Sequence, residues 1–465
     1  MHHLTVLNIV GLTPELIDEE STPYLAKFFA QGSMRPIKAL APAVTCTMQS
    51  TFLTGSLPCD HGIVGNGWYF KDLAEVGFWK QANSLVQGEM VWDAAKKRNE
   101  DFRSSQLFWW YNMYGSADIS VTPRPLYPAD GRKIPDIYTY PQHLRHKLSD
   151  KLGTFPLFNF WGPKADITSS RWIANCALEV RQRFHPHLNL VYIPHLDYNL
   201  QRLGPYHPEI KHDLKAVDAL AEELIEDGLK DGGRVMVLSE YGITPVSASV
   251  SINRHLRQAG FVGIKEELGY EMLDAGASEA FAVCDHQIAH VYVKNPNRIQ
   301  EVKDVLTSVS GIENVYSQKE ELSSLGLDHS RSGDIICISD ADKWFDYYFW
   351  LDDDLAPDYA RTVDIHRKPG YDPVELFIDP KITFPMLKLA GKLAKKKLGF
   401  RTLMDVIPLD TSLVKGSHGR VTDRLEYGPL VASSLEGIFS TNQEFIEATD
   451  IKGMMLQHIF EDTIG

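Results

Sequence analysis

Basic charge is in deficit along this 465-residue chain: 61 Asp and Glu face 47 Lys and Arg, for a net charge of −14. A surface of that sign repels phosphate backbones, so nucleic acid polymers are excluded as general partners. A small anion needs only a local positive site, such as a metal ion, and stays open as a substrate. No apolar run reaches the roughly 18 residues that a membrane-spanning helix requires. The start, "MHHLTVLNIVGLTP", lacks a basic lead, a long apolar stretch and a small-residue cleavage site, and reads as a first core strand. Cysteine is sparse: Cys46, Cys59, Cys176, Cys284 and Cys337 are odd in number and without CxxC spacing. That usage predicts reduced thiols and a cytoplasmic protein, with neither a disulfide frame nor a zinc knuckle. Internal repeats and low-complexity tracts are missing as well.

What is present is a globular composition, 44% hydrophobic and 23% charged, on a chain long enough for two domains or one large domain with an insertion. Three apolar, β-rich runs stand out: "LTVLNIVGL", "LNLVYIPHLDYN" (188–199) and "GRVMVLSEYGI" (233–243). Between the last two, "EIKHDLKAVDALAEELIEDGLKDGG" has apolar residues three and four apart and a glycine stop, which is a helix. Strand–helix–strand alternation predicts an α/β fold, a doubly wound sheet covered by helices on both faces. Chemistry then belongs at the carboxyl ends of the strands, where Asp197 and Glu240 fall. After Ser247 the pattern changes, and "QIAHVYVKN", "GDIICISDADKWFDYYFW" and "RIQEVKDVLTSV" predict a smaller α+β insertion. The Trp- and Tyr-rich stretch 75–190 has no clean period and is expected to form lids or a rim around a cleft.

The stretch "APAVTCTMQSTFLTG" (41–55) packs five hydroxyls and a thiol into one turn-to-helix segment. Taken singly, each candidate has an ordinary structural role: Thr45 as a helix cap, Asp197 as a capping aspartate, Glu240 as an ion-pair partner. Their order and spacing together carry more. Thr54-Gly55 follows Thr45 by nine residues and precedes "HGIVGN" (61–66); Tyr192, Asp197, Gln201 and Gly204-Pro205 recur at fixed intervals; "SEYGI" (239–243) and His418-Gly419 come later.

In that register the chain resembles the alkaline phosphatase superfamily, and most of all its type I phosphodiesterase/nucleotide pyrophosphatase branch. The resemblance implies an alkaline phosphatase-like doubly wound sheet sandwiched by helices, with an inserted α+β cap. Residues 1–249 and 406–440 would form the catalytic core, 250–405 the cap, and 441–465 a helical tail. It implies a hydrolase of a phosphodiester or phosphomonoester in which Thr45 attacks phosphorus to give a phosphothreonine. In that family two zinc ions share the site. One is held by an Asp and two His, the other by an early Asp, the Thr and an Asp-His pair.

Carried over residue by residue, the match is partial. Thr45, Asp197 and His418 are kept, but the early Asp is Val10, the second His is Gln201, and the Asp-His pair is Glu240-Tyr241. The family's asparagine three residues beyond the nucleophile is Met48, with Gln49 beside it. The surviving set of Asp197, Glu240 and His418 suits one divalent ion better than two. The resemblance implies zinc, with magnesium or manganese as alternatives, since a neutral amide oxygen suits harder cations. Gln49, Asn66, Gln201, Tyr241, His366 and Arg367 are the expected substrate contacts, and the substrate a small phosphorylated molecule. The same replacements leave a second reading open, a catalytically reduced pseudo-enzyme or binding protein on this fold.

Elsewhere, Asp364 and His366 would share a face if strand-borne, and His286 and His290 would meet on a helix or share a face of a strand. "KLAGKLAKKKLGFR" (388–401) reads as a solvated helix face, with contact to an anionic membrane as the alternative. The oligomeric state is open, a dimer included.

Overall fold

The strand Leu4–Ile9 is buried along its whole length and lies at the centre of a nine-stranded sheet. It pairs in parallel with Leu188–Ile193 on one side and Arg234–Leu238 on the other. These are the three apolar runs of the sequence, buried on both faces, which is why they read as continuous hydrophobic text without alternation. The computed structural model describes residues 1–31, 33–440 and 442–461. From one edge the strand order is Ile446–Glu447, Ser33–Lys38, Leu430–Ser433, Arg234–Leu238, Leu4–Ile9, Leu188–Ile193, Ser104–Leu107, Ile119–Pro123 and Ile137–Tyr140. Leu430–Ser433 and Ile137–Tyr140 run against their neighbours, so the sheet is mixed. The helices Ile167–Phe184 and Ile210–Leu229 pack on it, and the second is the helix expected from its apolar spacing. The expected α/β architecture is the one observed.

The stretch 75–190 is not a rim alone. It supplies three strands of the central sheet and the helix Ile167–Phe184. Its strands escape a periodicity reading because they are four or five residues long, and the buried Ser104-Ser105-Gln106 makes the first of them polar. Residues 280–339 build a separate four-stranded antiparallel sheet, in the order Ala280–Asp285, Ile288–Val293, Ile335–Ser339, Ile312–Tyr316, backed by the helices Ile252–Gln258 and Ile299–Thr307 around their own apolar core. Asp364 and His366 lie in a turn and not on a strand. His290 sits on a strand and His286 in the preceding turn.

Candidate active site

Thr45 is the first residue of the helix Thr45–Thr54, every residue of which is buried. That first residue lines a cavity of about 680 Å³. Asp197 lies in the first turn of the helix His195–Leu203, just past the strand Leu188–Ile193. Glu240 and Tyr241 follow the strand Arg234–Leu238. Gly242 is required there, because a Cβ would stand 1.7 Å from the Tyr427 carbonyl oxygen. The strands Leu188–Ile193 and Arg234–Leu238, both parallel to Leu4–Ile9 between them, thus deliver their end groups to one place.

The groups are joined by hydrogen bonds. Thr45 Oγ1 is 3.2 Å from the Tyr241 hydroxyl, which donates to Asp197 Oδ1 at 3.1 Å. The Gln201 amide donates to Asp197 Oδ2 at 2.8 Å, while its oxygen accepts from Tyr371 at 3.0 Å. Glu240 Oε1 accepts from the amides of Asn8 and Gln49, each at 2.5 Å. Its Oε2 is buried with no hydrogen-bond partner. Burial pushes the Asp197 carboxyl up to about 7 against the lowering effect of Tyr241 and Gln201. Burial likewise takes Glu240 to about 8, opposed by Gln49, Asn8 and Thr45 and assisted by the Asp197 charge. The Tyr241 hydroxyl is held well above its ordinary range by burial and by Asp197.

His418 contacts the Ala43 carbonyl through Nδ1 at 2.8 Å. Its ring lies between Tyr241, with centroids 3.5 Å apart, and His286, 3.7 Å apart. Burial keeps both imidazoles well below their ordinary pKa. His286 also stacks on Tyr371 at 3.6 Å and is 2.8 Å from Asp285 Oδ1 through Nδ1. Asn66 binds Asp285 through its backbone and side-chain nitrogens, and its oxygen accepts from the Cys46 amide.

Among the described residues, no group of three or more His, Cys, Asp or Glu side chains could hold a metal ion. The arrangement of donors gives the physical reason. Both Asp197 oxygens and Glu240 Oε1 face O–H and N–H donors, Val10 is core, and the Gln201 oxygen is turned to Tyr371. Donors aimed at the carboxylates stand where a cation would need lone pairs. Of the four carboxylate oxygens of Asp197 and Glu240, Glu240 Oε2 alone lacks a donor, so as they stand these side chains do not fit the expected single cation on Asp197, Glu240 and His418.

The expected substrate contacts divide. Tyr241 and His366 line the cavity with Thr45, Asp197 and His286. Gln49 and Gln201 spend their amides on Glu240 and Asp197, with Gln49 Oε1 accepting from the Trp110 amide, and Asn66 serves Asp285. Arg367 is turned outward to Asp358, at 3.2 Å, over the Tyr359 ring. Asp285 and Tyr371 join the site beyond the expected residues, and the adjacent Asp-His in "CDHQ" is the sequence signal for the first. Four basic residues, Lys80, Arg124, Lys133 and Lys164, line the cavity against one carboxylate, Asp197. Its walls are apolar and aromatic, with Trp79, Trp110, Phe160 and Trp161 among them.

Comparison with known proteins agrees with this architecture. An uncharacterised pyrophosphatase/phosphodiesterase of Schizosaccharomyces pombe is 27% identical over 258 residues, covering 52% of this chain and 45% of that protein. The chain thus matches about half the length of this curated relative. Phosphonoacetate hydrolase of Sinorhizobium meliloti, solved with phosphonoformate, superposes with a TM-score of 0.63 at 14% identity, over 98% of this chain and 96% of that one. An inactive variant of murine ectonucleotide pyrophosphatase/phosphodiesterase 5, solved with AMP, gives 0.59 at 13% identity, over 100% and 96%. These likenesses show the alkaline phosphatase-like fold. The sequence profile of the type I phosphodiesterase / nucleotide pyrophosphatase family matches residues 4–372, and the chain belongs to that family of hydrolases.

Proposed function

We propose that this chain hydrolyses a phosphoester with Thr45 as nucleophile, and that Tyr241 and Asp197 take up its proton. The observation that carries the reading is the run of contacts from Thr45 Oγ1 to the Tyr241 hydroxyl to Asp197 Oδ1, in a cavity lined by four cations. Thr45 Oγ1 forms a bond to phosphorus as its proton passes to the Tyr241 oxygen and the Tyr241 proton to Asp197. The bond to the leaving oxygen breaks, and that oxygen takes a proton from solvent. Water then hydrolyses the phosphothreonine, and Asp197 returns the proton along the same path. The helix beginning at Thr45 turns its positive end toward the phosphoryl group. In this proposal residues 1–249 and 406–440 are the catalytic core, and 250–405 is the substrate-facing insert, contributing His286 and His366. The murine relative's complex with AMP brings nucleotides into the substrate screen beside simple aryl phosphoesters.

One observation favours the second reading, a protein that binds phosphoesters without turnover: Glu240 Oε1 and both Asp197 oxygens are engaged by amide and hydroxyl donors. The two separate in one assay. Phosphomonoesters and phosphodiesters are offered to wild type and Thr45→Ala, each with and without chelator, alongside elemental analysis of the protein. Turnover lost in Thr45→Ala and indifferent to chelator is the expected result. Chelator-sensitive turnover with stoichiometric metal would return the cation to the site and overturn the proton path. Saturable phosphoester binding with no turnover in wild type would establish the binding protein.

A further inference from the structure

We propose that the segment 381–401 docks this chain on an anionic phospholipid bilayer and sets the cavity mouth against it. Between Lys381 and Arg401 the sequence has seven Lys and Arg and no Asp or Glu, in a chain of net charge −14. The helix Pro385–Lys397 carries this segment and divides into stripes. Leu389 and Leu393, one turn apart, line the cavity that leads to Thr45. Lys388 and Lys392, also one turn apart, pair with Asp405, and Lys392 reaches the Leu403 carbonyl, which fastens the helix beside the cavity. Leu387, Ala390 and Ala394 continue at helical spacing to Leu398, and this stripe faces outward.

Phe384, Met386, Leu387, Leu393, Leu398 and Phe400 are each 52% to 75% exposed. Apolar side chains scattered singly need no explanation, but six within residues 384–400, beside the exposed Lys395 and Lys397, mark an interaction face. An anionic bilayer answers both halves of that chemistry. Leucines and phenylalanines enter the acyl boundary, and lysines on long stems stay at headgroup level. Leu393 belongs both to the exposed face and to the cavity wall, so the two surfaces are continuous. On the proposed activity, which this step rests on, the mouth would admit a phosphoester with an apolar tail. Its phosphoryl end would lie at Thr45 and its tail along Trp110, Phe160 and Trp161.

The test is cosedimentation of the full chain with phosphatidylcholine vesicles, with and without about 30% phosphatidylglycerol, at low and high salt. Binding to the anionic vesicles that weakens with salt is expected. Leu387→Asp with Leu398→Asp, and separately Lys395→Glu with Lys397→Glu, should each weaken it by at least about tenfold. These side chains face solvent, so both variants should melt with wild type and turn over a short water-soluble phosphoester at the wild-type rate. No binding by wild type, or undiminished binding by both variants, overturns the proposal. So does a dimer that Leu387→Asp dissociates, without vesicle binding, which would give the face to a second copy. Vesicle binding with no turnover of any phosphoester supports docking and counts against the hydrolase reading alone.

Discussion

The rings of Tyr241 and His418 stack with centroids 3.5 Å apart and planes 6° from parallel. This contact fixes the Tyr241 ring on a neutral imidazole while its hydroxyl reaches Thr45 on one side and Asp197 on the other. On the proposed mechanism, this anchored hydroxyl is the link that carries the Thr45 proton to Asp197.

Tyr241→Phe keeps the stack and removes the hydroxyl. Turnover should fall by roughly 10²- to 10⁴-fold, the range of a lost general acid–base contact. The melting transition should shift by only about 1–3 kcal/mol, the cost of leaving Asp197 Oδ1 without its donor. Steady-state kinetics with an aryl phosphoester, beside thermal melts, checks both. Wild-type kcat in the variant would remove Tyr241 from the path.

Asp197 must be ionised to accept a proton, and burial raises its carboxyl to about 7. The value of kcat/KM should therefore climb with pH and level off just above 7, since below that point the acceptor is already protonated. Asp197→Asn should be inactive at every pH. An acidic limb near the ordinary aspartate value, about 4, would assign the base elsewhere.

Glu240 offers a pH signature in stability. Its folded pKa of about 8 lies above the ordinary 4.5, so at low pH both states are protonated and the group is neutral in the balance. As pH rises from about 4.5 toward 8, the unfolded chain ionises first and binds fewer protons, and stability falls. The total over that window is on the order of a few kcal/mol. Glu240→Gln retains an acceptor for Asn8 and Gln49 and should flatten this decline. Denaturant melts from pH 4 to 9 on both proteins measure it, and identical slopes would count against a protonated Glu240.

Lys368 is fully buried beside the cavity wall, 2.7 Å from both Asp372 and Glu375. Glu375 also accepts from the Trp161 indole at 2.6 Å and from the Asp364 amide at 2.8 Å, so the cluster holds a lining residue in place. Lys368→Met leaves two buried carboxylates without their cation and should cost about 3–5 kcal/mol. Chemical denaturation reads the change directly, and a loss under 1 kcal/mol would mean that water replaces the lysine.

Much of this organisation is legible in the chain itself. Leu4–Ile9, Leu188–Ile193 and Arg234–Leu238 announce themselves because a strand buried on both faces must be apolar throughout. The polar residues that follow them, Asp197, Glu240 and Tyr241, mark the site because parallel strands end on one edge. Ser104–Leu107 stays hidden for the converse reason: its Ser, Ser and Gln look like loop text, and only hydrogen bonds to distant partners such as Asp118 and Asn189 make them tolerable inside.

What sequence alone determined, then, is which side chains stand at the carboxyl edge: local apolar runs and turn chemistry are short-range properties of the chain. Which way those side chains are used was decided only by the tertiary structure. Gln49 could have faced a substrate or a cation, and the fold gives its amide to Glu240; Gln201 meets Asp197 by helical spacing, but its oxygen is claimed by Tyr371 from the inserted segment. His286, from the inserted sheet, arrives against His418 through contacts between residues far apart in the chain. A buried polar group takes the partner that packing brings within about 3 Å, and where that partner comes from a distant part of the chain, spacing and propensity cannot name it.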